Sequence, residues 1–272
     1  MAVAVMGACH GAAAPPPAGI PAAPAPVAPR APDAPPPPRF AAPTAPASYV
    51  LEGRSIVSAR ADTLARVDTL DTRAALQVTP RGAAVDVAVS AYSIQPSGGT
   101  ALTLTTPARA VGRFTSSGGV EFEGAGRTSC TAISQSAIEA TRDLWIKWPA
   151  DVRTGIRWRD SSAVSICRDG VPLQLTLVRE YRITGITGDS VAIARSSSMR
   201  ISGRGPIRGD TTTVSGDGTG TATLRASMSS GWVLDGQGSS TMHLTARGAQ
   251  RTQTVEQRSV ISFRQSADSP RR

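Results

Sequence analysis

A chain of 272 residues with a formal charge of +9 and only 4% aromatic residues has room for one sizeable domain and excludes several classes at once. Aromatics are too sparse for the stacking platforms that single-stranded nucleic-acid binders need, and no stretch reaches the ~20 apolar residues of a membrane-spanning helix. The positive charge is almost all arginine, with Lys147 the only lysine, and it is scattered singly along the chain. That is the pattern of solvated strand faces and not of a polyanion-binding run, so nucleic acid is not an expected partner.

Residues 1–10 contain Val5-Met6-Gly7-Ala8-Cys9, which resembles a bacterial lipobox, with Met6 where leucine is usual and Cys9 as the expected lipidated residue. The segment ahead of it is too short for a secretory signal, so residues 1–10 are expected to be the end of a truncated leader whose basic and apolar regions lie upstream. Residues 11–47 are almost entirely alanine and proline, including the run Pro35 to Pro38. Such a composition cannot bury enough surface to fold and favours extended polyproline II. The expectation is a disordered tether holding a domain away from a membrane, in an exported protein that is outer-membrane-anchored, periplasmic or at the cell surface.

Residues 48–265 should form one antiparallel β domain, and 266–272 a disordered tail. Roughly 215 residues is ample for a single core. From Tyr49 the apolar pattern has period two. Tyr49 and Leu51, then Ala74-Leu76-Val78 up to Pro80, then Val85-Val87-Val89 on to Tyr92 and Ile94, predict three long strands in a meander. Val111 to Phe114 and Val120 to Phe122, bridged by Ser116-Ser117-Gly118-Gly119, predict a hairpin with a positive-φ turn. Residues 129–148 are the single helical candidate, with Ile133, Ala137, Ile138, Thr141 and Trp145 on one face and Pro149 as terminator.

Strands resume after Asp169-Gly170, at Leu173-Leu175-Leu177 and at Val191 to Ile201; residues 203–218 read as a Gly/Arg/Thr loop. Three more strands are expected at 221–228, 232–245 and 252–263, giving around ten. That much one-sided alternation must curl or close to cover its apolar face. The fold class is therefore all-β, with long antiparallel strands in meanders forming a curled sheet, half-barrel or barrel, plus one short central helix. Outward positions carry Arg, Thr, Ser and Gln, which argues against a lipid-facing outer-membrane barrel.

Chemistry-bearing constellations are thin. His243 is the sole histidine of the folded region, and no Gly-x-Ser-x-Gly elbow occurs, which leaves nucleophilic catalysis without its base and turn. Lys147 reads as a cation near the helix end. Glu121 and Glu123 have a spacing near that of glycosidase carboxylates, but paired carboxylates on an exposed strand are common. Cys130 and Cys167 form an even pair that an oxidising compartment would join; two free thiols are the alternative. Neither has a second ligand at metal spacing. No catalytic residue, metal or cofactor is expected.

Trp145, Trp148 and Trp158 gather three of the four tryptophans into one segment. They either cap the curled sheet as packing or line the mouth of an apolar ligand cavity. This stretch, Leu144 to Trp158 with Pro149, Val152 and Gly155, resembles a segment of a family of uncharacterised bacterial β-rich secreted lipoproteins; Glu180-Tyr181-Arg182-Ile183 and Gly220-Thr221-Ala222-Thr223-Leu224 resemble strand pairs that follow it. The resemblance implies address and architecture and brings no activity. The functional expectation is a non-enzymatic envelope lipoprotein that binds an apolar small molecule or an envelope partner. The alternatives are a scaffold gripping an anionic envelope polymer through arginine, and a carboxylate-based glycan hydrolase.

Overall fold

Period-two alternation dictates strands that bury one face, and the computed structural model, which describes residues 42–266 except 62, 123–132, 169–170, 208–209 and 250, organises them into one antiparallel sheet. In chain order the strands are β1 (Ala47–Ala61), β2 (Leu64–Arg81), β3 (Ala84–Pro96), β4 (Leu102–Thr103), β5 (Ala108–Phe114) and β6 (Val120–Phe122). The helix α1 (Ile133–Glu139) and a 3-10 turn (Ala140–Leu144) come next. The remaining strands are β7 (Arg157–Arg168), β8 (Val171–Thr187), β9 (Ser190–Ile207), β10 (Asp210–Ser227), β11 (Val233–Arg247) and β12 (Thr252–Gln265).

Their spatial order is β6-β5-β3-β2-β1-β12-β11-β10-β9-β8-β7, with β4 attached to β3. Two meanders are thus sewn together where the first strand pairs with the last, Tyr49 opposite Gln265 and Ala61 opposite Gln253. Among the described residues the ladder is not closed, and β6 and β7 are its edges.

The curl can be measured from side chains. Five strand-to-strand steps separate β5 from β11, about 24 Å in a flat sheet at ~4.8 Å per step. Yet the rings of Phe114 on β5 and Trp232, immediately before β11, have centroids 6.4 Å apart. Trp145 completes the bridge, 6.3 Å from Phe114 and 6.2 Å from Trp232. Around these rings the main core collects Tyr49, Leu51, Leu76, Val78, Val85, Val87, Val89, Ile183, Ile193, Leu224 and Phe263. A smaller cluster of Val171, Leu173, Ile201, Val214 and Leu244 lies farther along β8 to β11.

Three sequence expectations need correction. Residues 203–218 are not a loop: β9 runs to Ile207 and β10 begins at Asp210. Their glycines serve close backbone approach, since a Cβ on Gly216 would lie 2.2 Å from the His243 carbonyl oxygen. Glycine inside a strand marks that kind of approach as readily as a turn. The helix is shorter than expected, ending in the 3-10 turn at Leu144, so that Pro149 terminates nothing and Lys147 lies beyond the helix end. Residues 129–132 of that candidate lie outside the described residues. Finally, β7 was not foreseen, although Trp158, Asp160 and Ser162 share its inward phase opposite Tyr181, Arg179 and Leu177.

Turns behave as their glycines require. Gly118 in the β5–β6 hairpin has φ 91° and Gly188 in the β8–β9 turn has φ 57°, both in the region L-residues avoid. Asp189, next to Gly188, accepts hydrogen bonds from the Ser229 amide at 2.6 Å and the Ser227 hydroxyl at 2.5 Å. This ties the β8–β9 turn to the β10–β11 turn, and the hydroxyl and amide donors hold the Asp189 carboxyl below the usual carboxylate range.

Candidate functional site

The inward phase of β7, β8 and β9 carries charge where apolar residues are the rule. Arg179 follows Leu175 and Leu177 on the concave face and precedes Tyr181 and Ile183; Arg195 follows Val191 and Ile193. Asp160 on β7 stands opposite Arg179. The side chains of Arg179 and Asp160 are only 9% and 5% exposed, with Nη1 and Oδ1 3.7 Å apart. That is an ion pair too long for a hydrogen bond.

The helix segment brings the counter-charges across the concave face. Asp143 on the 3-10 turn accepts from Arg195 Nη1 at 2.8 Å, and Arg142 pairs with Glu139 one turn earlier. Burial pushes the Asp143 carboxyl up, but the guanidiniums of Arg195, Arg179 and Arg142 outweigh it and hold the group below the usual carboxylate range. At Glu139 burial wins over Arg142 and the carboxyl is raised. Tyr181 donates to Asp160 Oδ2 at 3.2 Å, and burial pushes its phenol up.

The network is not fully satisfied. Asp160 Oδ1 and Arg195 Nε are buried without a hydrogen-bond partner among the described residues. Buried charge is costly unless paired and hydrogen-bonded, and a native structure that tolerates orphaned buried groups tends to do so at a functional site. Beside these groups is a cavity of about 380 Å³. One bank is polar, with Ser136, Glu139, Arg142 and Asp143 from the helix segment; the other is the sheet, where Leu175, Leu177, Met199 and Ile261 alternate with Ser197 and Ser240. Arg179 and Arg195 stand between them. A space of this size and mixed lining suits a small molecule with one apolar and one polar end.

The tryptophans expected at a ligand mouth are placed elsewhere. Trp145 is buried among Phe114, Phe122 and Trp232, and its Nε1 has no partner among the described residues. Trp148 is buried, and its amide donates to the Ser117 carbonyl at 2.5 Å, fastening the segment to the β5–β6 hairpin. Trp158 stacks on Tyr181 at 4.9 Å and donates Nε1–H to the Lys147 carbonyl. Together they fix the segment that bears Glu139, Arg142 and Asp143, and none of them lines the cavity.

Other sequence candidates are dispersed. His243 is exposed on β11, in register between Asp217 and Glu256. Glu121 is exposed on β6, while Glu123 lies outside the described residues, as do Cys9 and Cys130. The backbone of Cys167 belongs to β7. No group of three or more His, Cys, Asp or Glu that could hold a metal occurs among the described residues.

Sequence reading missed Arg179, Arg195 and Asp160 as a site because single arginines were assigned to outward positions. The signal was present in the phase: Arg179 lies two residues from both Leu177 and Tyr181, which places it on the buried face.

No protein-family model matches the chain, and no significant match is found among curated proteins. Among solved structures the chain is similar to the Pseudomonas aeruginosa protein OccK2 (OpdF), with 7% identity and a TM-score of 0.26 over 81% of this chain and 98% of that one. It is also similar to a mutant of the Rh. blastica porin, with 9% identity and a TM-score of 0.18 over 82% of this chain and 99% of that one. Likeness at this level carries nothing about function.

Proposed function

We propose that this protein is an exported, non-enzymatic envelope lipoprotein, held to a membrane through Cys9, whose curled sheet carries a small amphipathic molecule in the concave cavity. The observation that carries the reading is the buried arginine-bearing bank, with Arg195 Nε unpaired among the described residues, facing a sheet surface of mixed Leu, Met, Ile and Ser side chains across about 380 Å³. A ligand with an acidic head would satisfy that nitrogen, and its apolar body would cover Leu175, Leu177 and Met199. The lipobox-like Val5 to Cys9 and the Pro/Ala-rich stretch behind it support the envelope address, as does the resemblance of residues 144–158 to β-rich lipoproteins. The pair Cys130 and Cys167 is proposed to be oxidised there.

Titration with anilinonaphthalene sulfonate, an apolar probe with an acidic group, tests the site. Saturable fluorescence with one site per chain is expected, and Ser240→Trp, which fills the cavity from β11, should abolish it. Equal fluorescence from that variant would refute the cavity. Cys9→Ser should release the protein from the membrane fraction of the producing cells; retention would refute the anchor.

A further inference from the structure

The outer face of the same sheet carries a second feature, which adjoins the concave cavity at Arg195, Thr221, Gly238 and Ser239. Arg157 on β7 stands directly opposite Arg182 on β8. Directly opposed residues of antiparallel strands are close neighbours, and like charges there are destabilising. Both are exposed, and neither has an ion pair or side-chain hydrogen bond among the described residues. Next to them, Arg159 faces Glu180, so the patch has three arginines to one carboxylate. Some arginines of the outer face are paired with carboxylates, as in Arg54–Asp71 at 2.7 Å, Arg81–Asp86 at 2.6 Å and Arg258–Glu256 at 2.6 Å. Arg157 and Arg182 are set apart by standing directly opposite each other.

They stand at one end of a groove of about 650 Å³. Its floor is two cross-strand rows fixed by register, Glu180–Ser196–Thr221–Ser239–Val260 and Arg182–Ala194–Thr223–Gln237. Short hydroxyl-bearing side chains occupy the middle of the rows. At Thr223 and Gln237 the groove adjoins a second depression of about 370 Å³ bordered by Arg225 and Asp235. From β7 to β12 the path spans five strand steps, about 24 Å.

We infer that this groove binds an extended acidic polysaccharide, with carboxylate groups of the polymer between Arg157 and Arg182 and its hydroxyls along Ser196, Thr223, Gln237 and Ser239. An acidic group between the opposed guanidiniums converts their repulsion into two charge-assisted hydrogen bonds. The hydroxyl and amide floor matches a hydroxyl-rich chain. Tyr181 is the one aromatic residue of the groove's lining, and its ring belongs to the inward row, stacked on Trp158, which disfavours a base-stacking ligand. Val260 is its one exposed large apolar residue, too little for a protein interface core.

The full chain should bind polygalacturonate at low salt and lose it as added salt shortens the screening length to about 3 Å at 1 M. Exchange of both arginines in Arg157→Ala/Arg182→Ala should weaken binding about tenfold, the scale of two exposed charge contacts. Because that exchange removes an opposed like-charge pair, the urea unfolding midpoint should stay level or rise. Thr223→Trp, which obstructs the groove and leaves the arginines in place, should also abolish binding. Anilinonaphthalene sulfonate fluorescence should persist in both variants, and Ser240→Trp should still bind polygalacturonate, so the two sites fail or succeed separately. Equal retention of neutral dextran, equal competition by oligothymidylate, or unchanged affinity in the double-alanine variant would each overturn the inference.

Discussion

Replacing Trp145 separates two contributions that the structure places on one side chain. The ring packs against Phe122 at 6.1 Å, Trp232 at 6.2 Å and Phe114 at 6.3 Å, and it is 8% exposed. Trp145→Ala therefore removes a buried aromatic worth about 3–5 kcal/mol. The loss falls on the contact that joins β5 to β11 through the central segment. The indole Nε1, however, is buried without a partner among the described residues, and an unmade buried hydrogen bond costs about 1–3 kcal/mol. Trp145→Phe discards that penalty while keeping one ring in the cluster. The loss of ring volume, about 1–3 kcal/mol on the same scale, is then largely cancelled, and the net change should lie within about 1 kcal/mol. Urea unfolding followed by far-ultraviolet circular dichroism measures both, because the signal does not depend on the residue replaced. If Trp145→Phe costs as much as Trp145→Ala, the indole nitrogen is satisfied and the reasoning fails. If Trp145→Ala costs under about 1 kcal/mol, the ring does not couple β5 to β11.

Three further outcomes follow from particular contacts. Gly216→Ala puts a Cβ 2.2 Å from the His243 carbonyl oxygen and should lower stability by about 1–3 kcal/mol. Gly98→Ala, with nothing within 4 Å, should stay within about 0.5 kcal/mol; similar denaturation midpoints for the two would refute the close-approach reading. Tyr49→Phe deletes the buried hydroxyl that donates to the Val233 carbonyl at 2.9 Å and should cost about 1–2 kcal/mol, read from the same unfolding curves; no change would remove that bond from the stabilising set. The two carboxyls of the concave network should act oppositely with pH. Asp143 is depressed in the fold, so its contribution is complete above about pH 4 and lost as pH falls through its lowered pKa. Glu139 is raised, so its contribution is present below about pH 4 and lost as pH rises through its raised pKa. Stability of Asp143→Asn should fall less on acidification, and Glu139→Gln should lose less as pH rises above about 4; parallel pH profiles for wild type and both variants would contradict the assignment.

Much of the architecture is legible residue by residue. The alternation at Tyr49-Leu51, Leu76-Val78 and Val85-Val87-Val89 identifies β1, β2 and β3 because side-chain direction in a strand is a local property with period two. Gly118 and Gly231 mark their turns for an equally local reason, a positive φ. Composition misleads at residues 203–218, where glycine means approach and not a turn. It misleads again at Arg179, which was grouped with arginines that face water. In both cases the deciding neighbour is on another strand: Pro172 and Leu173 against Gly203, and Asp160 against Arg179.

By itself the sequence determined a β protein with one-sided strands and a short helical interruption. Tertiary structure decided that β1 zips to β12, that the sheet curls until Phe114 meets Trp232, and that the helix segment delivers Asp143 to Arg195 across 52 residues of chain. Strand phase is set by each residue's own backbone, whereas the meeting of distant strands depends on the summed twist of the whole sheet. Both the concave charged cavity and the outer groove arise from that second kind of information.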